Sequence, residues 1–360
     1  MAIRGTSTAD SEKSRPSIRE VAARAGVSPG CVSNVLNQRR RQDDPIGRAV
    51  LAAVADLGYR ANSMAANLRR VNSRFVGVVL PDFENPFFGA LLSALERCAE
   101  ASGYRLTAAT SRDDPAIEAR EVEELLGWRV AGLLIAPTMG SLPDAFAGAG
   151  VPMVVVDRVA GSSGADEVSV NNEAAARDVT ARLIALGHRH ILIAFSDPLV
   201  LNMAERIKGV ELAIADSGLP VTLERLHCGW TVESADLAFA THLTGEVAAT
   251  ALFTLHNLAT LAAYGAVMRR GLVPGRDLAL VSFDDSAWMA HMHPAVAAVA
   301  QPVDDIAKAA WMRLLARIEG DDGPPEVLRI PCQLLTRGTF LPRPETGDRT
   351  VQGAASPLGQ

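Results

Sequence analysis

Residues 17–37 read SIREVAARAGVSPGCVSNVLN, and this stretch decides how the rest of the chain is to be read. Ser17 stands three residues before Glu20, the spacing of a capping box, in which hydroxyl and carboxylate each satisfy a backbone N–H at the helix start. Ile18, Val21, Ala22 and Ala25 then fall on one helical face. Gly26 ends the helix, because a sharp turn there needs a residue tolerant of positive φ. Ser28 caps a second helix with Pro29 in its first position, where a missing N–H does no harm, and Val32, Val35 and Leu36 face inward. A third helix is predicted from Pro45 to Leu57, with Val50, Leu51, Val54 and Leu57 inside. Together these make a helix-turn-helix bundle over residues 17–60, whose second helix is shaped to enter the major groove of DNA.

Charge agrees with that reading. Residues 1–74 hold 13 Lys and Arg against 6 Asp and Glu, whereas the remainder holds 22 against 35. A basic head on an acidic body suggests a nucleic-acid-binding module fused to a part with another task, the alternative being a basic solvated tail. Residues 1–16 and 343–360 are polar and read as disordered tails. Residues 61–74 begin ANSMAANLRR, good helix formers in a run too short to be stable alone.

From Phe75 the pattern changes. The apolar runs FVGVVL (75–80), GLLIAP (132–137), MVVVD (153–157), ILIAF (191–195), ALFTL (251–255) and LALVSF (278–283) alternate with amphipathic helical stretches such as ALLSALERCAEASG (90–103). Such alternation implies parallel βαβ units covered on both faces. About ten strands are expected between residues 75 and 342, enough for two sheets. Ligands of such sheets sit at the carboxyl ends of the strands, here the loops PDFENPFF, DR, SVNN and SFDDS. The chain has no GxxxxGK[ST], no strand-borne GxGxxG and no GxSxG, so an enzyme is not expected. Cys31, Cys98, Cys228 and Cys332 are widely spaced without a CxxC pair, and His256, His291 and His293 lack companions at ligand spacing. Neither a disulfide framework, a metal nor a cofactor is expected. The N-terminus has no apolar leader and no later run is long enough to span a bilayer, so a cytoplasmic location without membrane attachment is expected.

The motifs AGVSxxxVSxVLN (Ala25 to Asn37), LGYRxN followed by AxxL (Leu57 to Leu68), NPFF (Asn85 to Phe88), LGHRHI (Leu186 to Ile191) and SFDD (Ser282 to Asp285) stand in an order that resembles the LacI/GalR family of transcriptional regulators. The resemblance covers nearly everything from Ser17 to Pro342. It implies an N-terminal all-α helix-turn-helix DNA-binding domain plus an α/β periplasmic-binding-protein-like effector domain of two parallel-sheet lobes. The implied protein is a homodimeric repressor of a near-palindromic operator, controlled by a small-molecule effector. The alternative within the class is a regulator whose effector control is lost or altered. A transport binding protein would share the lobes, but the basic head and missing leader argue against it.

Carried over by position, Pro29, Gly30 and Asn34 fall where the family reads base edges, and Ser28 and Ser33 where it holds phosphates. Asn37, Arg41, Asn62, Ala65, Leu68 and Arg69 complete the implied DNA surface. Residues 61–70 match a hinge helix that folds against its twin in the minor groove, where Leu68 would wedge open a base step. Three departures stand out: Asn34 replaces a more usual Arg, Cys31 replaces Thr, and Ile46-Gly47 replaces Thr-Arg at the start of the third helix. Arg39, Arg40, Arg41 and Arg48 are candidates to restore the lost charge, because phosphate attraction tolerates imprecise placement.

On the effector side the resemblance implies Phe87, Phe88, Asp157, Asn172, Arg206, Trp230, His256 and Asp284. Arg206 can bond two acceptors at once, and Asp284 can accept from vicinal hydroxyls. Plainer readings are core packing for Phe87 and Phe88, a turn cap for Asp157 and loop packing for Trp230. Two acids are missing, since His256-Asn257 stands for Asn-Asp and Asn171 for Asp. That favours a less hydroxyl-rich or more anionic effector among sugars, sugar acids and sugar phosphates.

Overall fold

The computed structural model describes residues 16–36, 40–59, 73–138, 150–158, 164–244 and 247–343. Of the predicted tails and hinge, Pro16, Ser73, Arg74 and Arg343 lie among them. The chain forms two compact units, Met1–Ser73 and Arg74–Gln360.

In the first unit the local signals act as their chemistry requires. Helix α1 (Ile18–Ala25) opens on the capping box, with the Ser17 N–H donating to Glu20 Oε2 at 2.6 Å and the Glu20 N–H to Ser17 Oγ at 3.4 Å. Gly26 closes it at φ 67°, its N–H reaching the carbonyls of Ala22 and Ala23. Helix α2 (Pro29–Leu36) begins after Ser28, whose Oγ accepts from the Cys31 N–H at 3.2 Å. Helix α3 (Pro45–Leu57) is capped by Asp44. The core comprises Val21, Ala22, Val32, Val35, Val50 and Ala53. Leu51, expected inside, is 38% exposed. It follows Val50 by about 100° around the helix, so a stripe through Val50, Ala53, Val54 and Leu57 turns it outward.

The second unit is two lobes, each a six-stranded sheet. The N-terminal lobe holds β1 (Phe75–Leu80), β2 (Arg105–Thr110), β3 (Gly132–Ile135), β4 (Met153–Val156), β5 (Asp166–Val170) and β11 (Val327–Ile330), in the order β11-β5-β4-β3-β1-β2, all parallel. Helices α4 (Pro86–Ala101), α5 (Pro115–Gly127) and α10 (Val303–Ile318) cover it. The C-terminal lobe holds β6 (His190–Phe195), β7 (Thr222–His227), β8 (Ala251–Thr254), β9 (Ala279–Phe283), β10 (Ala297–Ala300) and β12 (Gln333–Leu335), in the order β12-β10-β9-β8-β6-β7, with β12 antiparallel. Its helices are α6 (Asn172–Ala185), α7 (Leu201–Ser217), α8 (Val232–His242) and α9 (Asn257–Arg269).

All six apolar runs read from the sequence are strands. The others are short, carry charge, or are built of alanine, as VLRI and AAVA are, and give a weak local signal. The chain crosses between lobes three times: after β5, after β10 and between β11 and β12. Because strands within each lobe run parallel, their carboxyl ends share an edge, and those ends gather the polar residues described next.

Candidate functional site

Two regions concentrate exposed or unpaired polar groups. In the first unit, Pro29, Gly30 and Asn34 on α2 are exposed, and Gly30 and Asn34 are one turn apart on the same face. Ser28 is exposed too, and its hydroxyl proton stays free to donate because the helix cap uses the oxygen as an acceptor. Ser33 is half-buried. Asn37, Asn62, Ala65, Leu68 and Arg69 lie outside the described residues.

Arg40 and Arg41 before α3, and Arg48 within it, are already paired, while Arg39 lies outside the described residues. Arg40 Nε donates to Asp44 Oδ2 at 3.1 Å, and Arg41 grips Asp43 through two bonds of 3.0 and 2.8 Å. Arg48 donates to the Asp43 carbonyl. Exposed pairs of this kind are weak and exchange readily for a phosphate. The Gly47 departure has a steric cause. A Cβ there would stand 2.6 Å from the carbonyl oxygens of both Arg41 and Gln42, while the Gly47 N–H donates to Asp44 Oδ1 at 2.6 Å.

The second region lies where the two lobes meet. Arg206, from α7, is buried and held from three sides. Its Nε donates to Asn172 Oδ1 at 2.8 Å and its Nη1 to the Leu255 carbonyl at 2.7 Å, with Asp284 Oδ2 3.9 Å away. The guanidinium carbon lies 3.6 Å from the centre of the Phe283 ring. Asp284 and Asp157 are both buried and both adopt positive φ, 72° and 65°, a conformation uncommon outside glycine. Gln301 Nε2 donates to Asp284 Oδ1 at 2.5 Å. The Asp157 carboxylate has no hydrogen-bond donor among the described residues, and burial pushes its pKa up to about 6 against the pull of Arg206. Burial raises Asp284 as well. A strained, desolvated, unpaired carboxylate is costly to keep in a core and points to a site that meets something else.

Trp230 is half-buried, with Arg158 5.0 Å over its ring from the N-terminal lobe. Phe87 and Phe88 pack edge to face at 5.3 Å within the core of the N-terminal lobe, as the packing reading of these residues expects. His256, expected beside the effector, bonds within the C-terminal lobe. Its Nδ1 accepts from the Ala259 N–H at 3.4 Å as the cap of α9, which leaves the proton on Nε2, 3.4 Å from Cys228 Sγ. Burial holds its pKa down near 3, so the ring stays neutral, and both nitrogens are engaged inside the C-terminal lobe.

Sequence reasoning missed the groups beside these residues. Ser196 Oγ, Asn257 Oδ1, Ser286 Oγ and Gln301 Oε1 are buried without a hydrogen-bond partner among the described residues. Each sits one to three residues beyond a strand end, at β6, β8, β9 and β10. Asn257 Nδ2 also donates across the lobes to Asn85 Oδ1 at 2.9 Å. Position after a strand was the available signal, and burial without a partner is invisible in sequence. A surface groove of about 580 Å³ between α4 and the start of α10 also includes Gln301, but Arg97 and Asp304 close on each other across it at 2.6 Å. The unpaired groups mark the interlobe cleft instead. Among the described residues no cluster of His, Cys, Asp and Glu could hold a metal ion, and no helix is long and apolar enough to cross a membrane.

Residues 17–62 match the model of bacterial regulatory proteins of the lacI family, and residues 180–340 that of a periplasmic binding protein-like domain. The HTH-type transcriptional regulator PtxS of Pseudomonas plecoglossicida is 32% identical over 92% of this chain and 98% of its own length. Among solved structures, the Lac repressor dimer bound to operator and the anti-inducer ONPF gives a TM-score of 0.79 at 24% identity, covering 91% of this chain and 100% of that one. The complex of the transcriptional regulator CelR with cellobiose gives 0.67 at 28% identity, covering 90% and 100%.

Proposed function

Because this chain belongs to the LacI family of bacterial regulatory proteins, we propose that it is a repressor whose operator affinity is set by a hydroxylated, sugar-type effector held between its lobes. It has no catalytic step of its own. The domain limits are 17–60 for the DNA-binding head, 61–74 for the hinge and 75–342 for the effector lobes. On the head, Ser28, Pro29, Gly30, Ser33, Asn34 and Arg41 face DNA, continued by Asn37, Asn62, Ala65, Leu68 and Arg69. In the cleft, Arg206, Asp157, Asp284, Asn172 and Trp230 are joined by Asn257, Ser196 and Gln301.

The observation that carries this reading is the nearness of Asp157, which has no donor among the described residues, to Arg206, whose Nη2 has no hydrogen bond to a described residue. A ligand must supply hydroxyl protons to the first and a lone pair to the second. A sugar hydroxyl does both, and a sugar acid adds a carboxylate for Arg206. The bound relative suggests neutral sugars such as cellobiose as first probes.

The test titrates neutral sugars, sugar acids and sugar phosphates against the full chain bound to its own promoter region, at pH 5 and 7.5. An acid whose folded pKa lies above its ordinary 3.8 is more protonated folded than unfolded between those values, so Asp157 costs the empty lobes stability as pH rises from about 4 to about 6. A hydroxyl donated to the ionised form offsets that cost. The active ligand should therefore bind several-fold more tightly at pH 7.5 than at pH 5, and Asp157→Asn should remove the difference while stabilising the empty protein at neutral pH. Protein that bound DNA while no ligand shifted its affinity would favour the altered-control reading, which the engagement of His256 by the protein itself supports.

Homodimerisation would use a face of the C-terminal lobe. Leu237 on α8 is 70% exposed, and Leu261 and Met268 on α9 are 44% and 46% exposed, beside the Arg269–Asp236 pair of 2.8 Å that joins the two helices. Leu237→Glu with Leu261→Glu should yield monomers in light scattering and lose most operator affinity, since one head makes too few contacts. A persistent dimer would place the interface elsewhere.

A further inference from the structure

Glu205 precedes Arg206 on α7 and is absorbed by none of the motifs above. Its carboxylate spans the two lobes. Oε2 accepts from Asn172 Nδ2 at 3.1 Å, on the C-terminal side, and Oε1 lies 3.5 Å from Arg329 Nη2 on β11, in the N-terminal lobe. The same Asn172 side chain accepts from Arg206 Nε through its Oδ1 at 2.8 Å. Beyond Glu205, Arg329 Nη1 donates to Ser169 Oγ on β5 at 2.6 Å. A continuous series of polar contacts thus leads from the guanidinium of the cleft to β11 and β5, the outermost pair of strands on that side of the other lobe's sheet.

The amide of Asn172 makes the series responsive. Its oxygen serves Arg206, and its nitrogen serves Glu205 at 3.1 Å and the Val170 carbonyl of β5 at 3.3 Å, so the plane cannot turn to follow one without disturbing the others. Of the other interlobe contacts, Asn85 with Asn257 and Arg158 with Trp230 do not pass through Arg206, whereas Asp157 of the N-terminal lobe feels its charge directly. The Glu205–Arg329 pair is partly open to solvent at 30% and 28%, hence weak and easily exchanged.

We propose that Glu205 is a positioning residue that carries the state of the Arg206 cleft into the N-terminal lobe, the lobe that the chain enters from the DNA-binding unit. This rests on the reading of that cleft as the effector site, but its test needs neither effector nor operator. Coupling along contacts is established by non-additivity, not by adjacency.

The experiment is amide hydrogen exchange of the full chain, read at Val327–Ile330, in a two-by-two set. Arg206→Lys breaks the first joint by removing Nε while keeping the charge. Glu205→Gln breaks the last by removing the charge while keeping the shape. Arg206→Lys should speed exchange of β11 at least fivefold with Glu205 present and less than twofold in the Glu205→Gln background. Equal factors in the two backgrounds, or no change in either, would overturn the proposal, and a merely structural Glu205 would give the additive result. Should Arg206→Lys fail to fold by circular dichroism, Asn172→Ala replaces it at the same joint with the same expectations. Failure of the ligand titration with a non-additive exchange cycle would remove the effector assignment and leave the coupling standing.

Discussion

Gly47→Arg, which restores the arginine usual at this position in the LacI/GalR resemblance, should weaken DNA binding at least tenfold although it adds a positive charge. Counted as charge alone, the substitution supplies one more phosphate contact and ought to tighten binding. Geometry opposes it. The first atom of any side chain at this position would lie 2.6 Å from two backbone carbonyl oxygens, those of Arg41 and Gln42, and backbone cannot step aside as a side chain can. Overpacking of this kind costs about 1–3 kcal/mol, and tenfold in affinity corresponds to about 1.4 kcal/mol. The head has few reserves, its core being six small or medium side chains. Displacing the loop also breaks the Asp44 cap of α3 and moves Arg40 and Arg41. Gly47→Ala should show most of the loss, because the offending atom is the Cβ. Fluorescence anisotropy on a promoter fragment at two salt concentrations, with melting of the head followed by circular dichroism, separates the two effects. Tighter binding by Gly47→Arg would mean that the loop yields and that the departure has no steric origin.

Arg206→Met should abolish the response to effector and destabilise the lobes by about 3–5 kcal/mol, the range for removing one partner of a buried charged group. The side chain is 3% exposed, and its loss takes from Asp157 and Asp284 a buried cation that pulls on both. Asn172 Oδ1 and the Leu255 carbonyl lose donors as well. Deprived of the cation, the carboxylates relieve the burial penalty by taking up protons, so both pKa values move further up. Stability of the variant should therefore fall more steeply than that of the parent as pH rises from 5 to 7. Urea unfolding at the two pH values measures this. A loss below about 1 kcal/mol at both would mean that Arg206 does not balance those acids.

The head was legible almost to the residue because its signals are short-range. The Ser17–Glu20 box, Gly26, Ser28 with Pro29, and the limits Pro45–Leu57 are each settled by groups three or four positions apart. Leu51 is the exception, because apolar character alone does not distinguish it from Val50, and the helix turns it outward. In the lobes, strands with continuous apolar runs were visible, while VLRI and QLL had no pattern strong enough to show which sheet they join. The cleft was half legible. The family resemblance singles out Arg206 and Asp284, whereas it puts His256 ahead of Asn257, and the engagement of His256 with Cys228 and with the α9 backbone needs the fold to be seen.

By itself the sequence determined the order of the parts, the caps and limits of the head's helices, and the presence of parallel strands enough for two sheets, since these follow from hydrogen bonds and periodicities spanning a few residues. The tertiary structure alone decided what the cleft is. Asp157 meets no hydrogen-bond donor among the described residues, and Glu205 reaches Arg329, because segments distant in the chain converge where the two lobes meet. Burial and the absence of a partner are properties of that convergence, and no local pattern of residues carries them.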